Sequence, residues 1–217
     1  MGAKTWMIVY ADGDARSLLA NAPAMDRVAT TKLAEALFPK DKLEPLKDGS
    51  LMWTSPPDDE LHIGCFPGVS VIAAKEFGAD HPSKLPDAFI ARAQSGTLFL
   101  HAMHSAVDWF AFAVWRDGKL VRSLSLSPDS GVIEDIGERL PFELPYWAGE
   151  HSAMDPDDED DNDAPYPFPF HPLELGEAAL REFFGYQLEG YMDASLLDPE
   201  TVALARFKRK RSWLKFW

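Results

Sequence analysis

Two short constellations in this chain carry residue types suited to chemistry. Asp12 and Asp14 follow the apolar run Thr5–Tyr10, and paired carboxylates at a strand end can hold Mg²⁺ for phosphoryl chemistry. His101, His104, Ser105 and Asp108 lie in or just after the apolar run that begins at Thr97. These are zinc-ligand types and also nucleophile-and-base types. On a regular strand, positions 101 and 104 face opposite sides, so the two histidines cannot share a metal unless the chain bends. His104 with Asp108 is the better pair if it bends at Ser105. If strands 5–10 and 97–103 run parallel as neighbours, their carboxyl ends share one sheet edge. Asp12 and Asp14 then face His104, Ser105 and Asp108 in a common crevice. A histidine among those acids would hold its proton more tightly and suit general acid catalysis. The chemistry would be metal-assisted hydrolysis. The ordinary alternatives are a turn and helix cap at Asp12-Gly13-Asp14 and hydrogen-bonded histidines where a strand meets a hairpin.

The element that must position these residues is the stretch Thr97–Gly131, a strand running into a hairpin. Asp117-Gly118 lies between two alternating apolar runs and suits a two-residue turn with positive φ. Counting outward, Trp115 faces Leu120, Ala113 faces Arg122, Ala111 faces Leu124 and Trp109 faces Leu126. The other face pairs Val114 with Val121, Phe112 with Ser123 and Phe110 with Ser125. Arg122 is the odd residue on an apolar row. It either pairs with an acid such as Glu134 or Glu143 or binds an anionic ligand. Phe110 and Phe112 beside serines 123, 125 and 127 are a packed sheet face or a stacking platform.

Ahead of the hairpin, Asp14 caps a short helix through Leu19, and a second helix runs from about Ala24 to Phe38 with Met25, Val28, Leu33 and Leu37 on one face. Short strands follow at KLEPLK, LMWT, LHIGCF and VSVIAA, then a helix bracketed by Pro86 and Gly96. After Gly131, VIEDIGERLPFELPYWAGE reads as extended. Residues 155–163 hold seven acids in nine positions, too self-repelling to fold alone. A loop of the calcium-binding helix–loop–helix type starting at Asp155 fails, with Asp160 and Tyr166 where Gly and Glu are needed. Pro165, Pro167 and Pro169 alternate with Tyr166, Phe168 and Phe170 as an extended strap. A helix, LGEAALREFF, ends at Gly185. The tail Arg206–Trp217 is basic and aromatic, a composition suited to weak contact with an anionic membrane surface or to attraction toward the acidic run.

At 217 residues with 46% apolar content, the chain suits one domain with a substantial core. We assign residues 1–190 to it, including an acidic loop at 152–164, and residues 191–217 to a C-terminal arm. The net charge of −14 disfavours nucleic acid as a partner. A single cysteine, Cys65, permits no intrachain disulfide and reads as a small buried hydrophobe. The N-terminal apolar run is too short for a signal segment, and no run approaches the roughly 20 apolar residues of a membrane span. A soluble cytoplasmic protein is the expectation.

Several stretches together, MGAKTWMIVYADGD, GCFPG, LHAMHSAVDWFAFAVW, RSLSLSPDSGVIEDIG, PFELPYWAGE and PFHPLELGE, resemble an uncharacterised family of intracellular actinobacterial proteins known as a domain of unknown function. The resemblance implies no activity. The expected architecture is α+β: a mixed, largely antiparallel sheet with a central hairpin at about 109–127 and helices packed on it. The two function classes are a non-enzymatic interaction or structural protein, with an unknown protein partner or self-association, and the metal-assisted hydrolase. No cofactor motif is identified, and a divalent metal is the one that the acids and histidines allow.

Overall fold

The computed structural model describes residues 2–153, 166–190 and 193–211. In chain order the elements are β1 (Lys4–Ala11), α1 (Ala15–Leu19), α2 (Arg27–Leu37), β2 (Asp41–Pro45), β3 (Gly49–Ser50), β4 (Glu60–Phe66), β5 (Val69–Ala73), α3 (Asp87–Ile90), β6 (Thr97–His104), β7 (Trp109–Arg116), β8 (Lys119–Ser127), β9 (Gly131–Ile136), α4 (Leu144–Trp147), α5 (Pro172–Phe184) and β10 (Ala203–Arg211). The strands form one sheet in the order β2-β10-β4-β5-β1-β6-β7-β8-β9, with β3 also pairing β10. Every described pairing is antiparallel. The fold is therefore α+β, as the alternation of apolar runs and turn residues implied.

Both faces of the sheet are covered, which explains why the central strands β1, β4, β5, β6 and β7 are apolar at most positions. Period-two alternation sends Met7, Val9, Met103, Phe110, Phe112, Val114, Leu124 and Leu126 to one core, under α1, α5, α4 and the segment around Phe168 and Phe170. Trp6, Ile8, Leu98, Leu100, Trp109, Ala111, Ala113 and Trp115 enter the other, under α2, α3 and the 3-10 turn Lys75–Phe77.

The hairpin turns at Asp117 (φ +50°) and Gly118 (φ +73°), with Trp115 opposite Leu120. Beyond Trp115 the expected register is off by one. A bulge leaves Val121 unpaired, so Val114 opposes Arg122, Phe112 opposes Leu124 and Phe110 opposes Leu126. The phenylalanines thus share their face with leucines and Arg122, while Ser123 and Ser125 sit on the alanine side, and no Phe–Ser platform exists.

The structure departs from the sequence pattern at other places as well. Helix α2 buries Thr30 and Ala34 and leaves Val28 exposed, so its apolar face is displaced. Residues 141–147 are helical rather than extended. Leu51 and Met52 form a turn, not a strand. The C-terminal arm is not an arm: β10 lies inside the sheet between β2 and β4. Arg206, Lys208, Arg209 and Lys210 meet Glu60, Asp59, Asp41 and Glu44. The acidic run 155–163 and the tail end 212–217 lie outside the described residues. No helix among the described residues is long and apolar enough to cross a membrane.

Candidate functional site

The crevice expected to join Asp12, Asp14 and His104 is not assembled. Strands β1 and β6 are neighbours but antiparallel, with Lys4 opposite His104 and Ala11 opposite Thr97. Asp12 and His104 therefore stand at opposite ends of the sheet. Asp14 caps α1, accepting from the Ser17 N–H at 3.2 Å and from its hydroxyl. His104 lies edge-on to Trp6, ring centroids 5.6 Å apart, in a cavity of about 360 Å³ shared with Trp109, Asp80 and Asp129. Burial, with Lys4 and Lys75 nearby, lowers its pKa, the reverse of the shift expected beside acids.

Ser105 opens the 3-10 turn that carries the chain from β6 to Asp108, whose φ is +46°. That turn aims Asp108 away from His104 and toward His171, at 3.7 Å. His101 is wholly buried on the opposite face of β6. Its Nε2–H donates to the Gly176 carbonyl (3.0 Å), so Nδ1 accepts from the Thr5 hydroxyl (2.7 Å). Burial lowers its pKa to about 4, against the pull of that carbonyl. Among the described residues no group of three or more His, Cys, Asp or Glu is gathered to hold a metal.

Arg122 is fully buried and committed within the fold. Its Nε and Nη2 donate to the two oxygens of Glu143 at 2.9 and 2.7 Å. Nη1 donates to Asp135 and to the carbonyls of Ile136 and Gly137. With its side chain fully enclosed and its charge answered by Glu143 and Asp135, it is not presented to an anionic ligand.

A polar cavity lies elsewhere. Along one side of α5, a groove of about 560 Å³ is lined by Tyr146, His151, His171, Glu174, Glu177, Arg181 and Glu189. Positions 171, 174, 177 and 181 are spaced by three, three and four, so the helix stacks them on one face. Leu175, Gly176, Ala179, Leu180 and Phe183 take the buried side. His171 caps the helix, its Nδ1 accepting from the Leu173 N–H at 3.3 Å. Pro172 at the first position suits the start, and Gly185 at φ +76° ends the helix.

Glu177 forms the floor of this groove and is 7% exposed. Its oxygens accept from the N–H groups of Leu188 (2.8 Å) and Glu189 (3.1 Å), folding the chain after α5 back over the groove. Burial raises its pKa to about 7, outweighing those two donors and Arg181. Arg181 donates to the Gln187 side chain at 3.3 Å, and Glu189 accepts from the Ala3 N–H at 2.6 Å. Tyr146 stacks on His151 with centroids 4.1 Å apart. Burial raises its pKa, while Arg181 works against that shift. Such an arrangement can hold a small polar molecule against flat rings, and its floor carboxyl can trade a proton near neutrality.

None of these groove residues stands out in the sequence as a motif. The signal was the polar spacing at 171, 174, 177 and 181, from the helix cap along a helix whose remaining residues, Glu182 apart, are apolar. No curated protein and no solved structure matches the chain. A family model described as a family of unknown function (DUF6928) matches residues 5–207, from the second residue of β1 to the middle of β10, and the chain belongs to that family.

Proposed function

We propose that the protein is a non-catalytic binding protein for a small polar molecule, held in the groove along α5. The observation that carries this reading is the row His171, Glu174, Glu177 and Arg181 turned toward one cavity. Its size falls in the range of about 300–1,000 Å³ common to small-molecule sites. Binding suits the row better than turnover because its groups are already engaged in fixing the walls. Glu177 holds Leu188 and Glu189, Arg181 holds Gln187, and His171 caps its own helix. A preorganised site of this kind loses little entropy on filling. One observation favours an enzyme instead: a carboxyl with a pKa of about 7 suits general acid–base catalysis at neutral pH.

One titration tests both. ¹⁵N-labelled protein is mixed with amines, carboxylates, sugars and nucleosides as separate probe sets, and amide shifts are followed alongside the one-dimensional spectrum of each probe. Binding should move the amides of Leu173, Leu188 and Glu189, and Arg181→Ala should weaken it. No shift at those amides with any probe set would sink the proposal. Conversion of a probe that stops in Glu177→Gln would replace it with the enzyme reading.

A further inference from the structure

At the end of the sheet opposite His104, where β1 and β7 finish and β6 begins, a separate cavity of about 400 Å³ opens beside Asp14. Its floor is aromatic. The ring of Phe183 lies 4.9 Å from that of Phe99 and 5.3 Å from that of Phe142, and Val114 of β7 completes the apolar surface. Its rim is charged with both signs. Arg116, the last residue of β7, and Glu182, in the last turn of α5, are exposed at its mouth. Among the described residues neither forms an ion pair. A carboxylate in the last turn of a helix faces the negative end of the helix dipole, so Glu182 is electrostatically misplaced unless a cation comes to it. Asp14 adds a second carboxylate on the same rim.

We propose that this cavity binds a free α-amino acid with an aromatic side chain. The ring lies on the Phe99, Phe142 and Phe183 floor, where edge-to-face contacts are available. The carboxylate meets the Arg116 guanidinium, whose planar fork matches it in two hydrogen bonds. The ammonium meets Glu182, with Asp14 beside it. An apolar floor with one cation and carboxylates at its rim is complementary to a zwitterion on a hydrophobic body, and less so to an anion or a cation alone. This site shares no lining residue with the groove along α5 and stands or falls independently of it.

The test is calorimetry on the full chain with L-phenylalanine, phenethylamine (no carboxylate), 3-phenylpropionate (no ammonium) and glycine (no ring) as probes. Phenylalanine should bind at least about tenfold more tightly than any of the other three, the loss being one charge-assisted contact for phenethylamine and 3-phenylpropionate and the buried ring for glycine. Arg116→Gln should weaken phenylalanine about tenfold and leave phenethylamine unchanged. Glu182→Gln should weaken both and leave 3-phenylpropionate unchanged. Both positions are exposed, so the variants keep the fold. No heat from phenylalanine up to about 10 mM, glycine binding as tightly as phenylalanine, or phenylalanine binding untouched by either substitution would each overturn the proposal.

Discussion

A guanidinium taken wholly out of water is tolerated only where its N–H groups find oxygens. Arg122 meets that condition through Glu143, Asp135 and backbone carbonyls. Burial works against its charge, and the two carboxylates outweigh it, so its pKa is raised. Glu143 is itself fully buried and also accepts the Leu140 N–H at 2.7 Å. Removing one member of such a pair strands the other, so Glu143→Leu should cost about 3–5 kcal/mol. The exposed pair of Arg27 with Asp48 should lose far less in Arg27→Ala, because water screens it. Urea midpoints compare the two, and equal losses would contradict the difference in burial. Glu177 gives a second prediction at this scale. Its folded pKa of about 7 lies above the usual 4.5, so the native state binds the extra proton. Its contribution is most favourable below about pH 4.5 and is lost as pH rises through 7, on the order of 3 kcal/mol in all. His101, lowered to about 4 from 6.5, acts in the opposite sense, its contribution present above 6.5 and lost as pH falls toward 4. The whole-protein curve mixes the two, so the comparison is with Glu177→Gln. That variant loses one acceptor, and its stability relative to wild type should rise between pH 5 and 8. A constant difference across that range would refute the assignment.

The element on which both cavities depend is α5, and its seat on the sheet is set by Gly176. A methyl group there would stand 2.7 Å from the Met103 sulfur and 3.1 Å from Cδ2 of Phe110, closer than packed atoms allow. The same residue's carbonyl receives the His101 N–H. Gly176→Ala should therefore destabilise by about 1–3 kcal/mol through overpacking, although alanine is the better helix former. Thermal melts measure the loss, and an increase in Tm would show that the helix has room to move. The body and end of α5 were legible in the sequence through LGEAALREFF and Gly185, but its first turn was not: the helix starts at Pro172, three residues before the expected Leu175, because Pro172 reads equally well as the end of the proline strap. The hairpin turn was legible because Asp117-Gly118 states a backbone conformation outright. The register beyond it was not, because a bulge at Val121 answers to packing on both sheet faces and leaves no residue-type signature. The direction of β1 relative to β6 was equally hidden, as two apolar strands read alike parallel or antiparallel, and that one ambiguity decided whether Asp12 could meet His104. The groove on α5 was not anticipated from the sequence. The spacing of His171, Glu174, Glu177 and Arg181 is in the sequence, but the chain folded back from Leu188 to make its wall is not.

At the scale of the whole molecule, closure depends on the last described strand. β10 inserts between β2 and β4, pairing Arg211 with Asp41 and Ala205 with Ile63, so the sheet is complete only when the end of the chain has returned to its first third. Leu204 enters one core and Phe207 the other. The basic residues of this strand read, in isolation, as a surface for anionic partners. In the fold they answer the chain's own acids, and burial separates those that matter from those that do not. Arg209 has a side chain 4% exposed, lies over the Phe38 ring at 4.5 Å, and donates to Asp41 at 2.7 Å and to Glu76 at 2.6 and 2.9 Å. It thereby ties β10 to β2, to the 3-10 turn Lys75–Phe77 and to the residue that ends α2. Lys210 reaches Glu44 at 2.7 Å with its side chain 60% exposed. Arg209→Met leaves the buried carboxylate of Asp41 without its partner and should cost about 3 kcal/mol or more, whereas Lys210→Met should change stability by less than about 1 kcal/mol. Added salt should shrink the Lys210 effect and leave the Arg209 effect nearly intact, because a buried pair is poorly screened. Urea denaturation of both variants at low and high salt reads out the contrast. Small, equal and salt-sensitive losses would mean that the row is a solvated surface after all, and that the sheet closes on its apolar contacts alone.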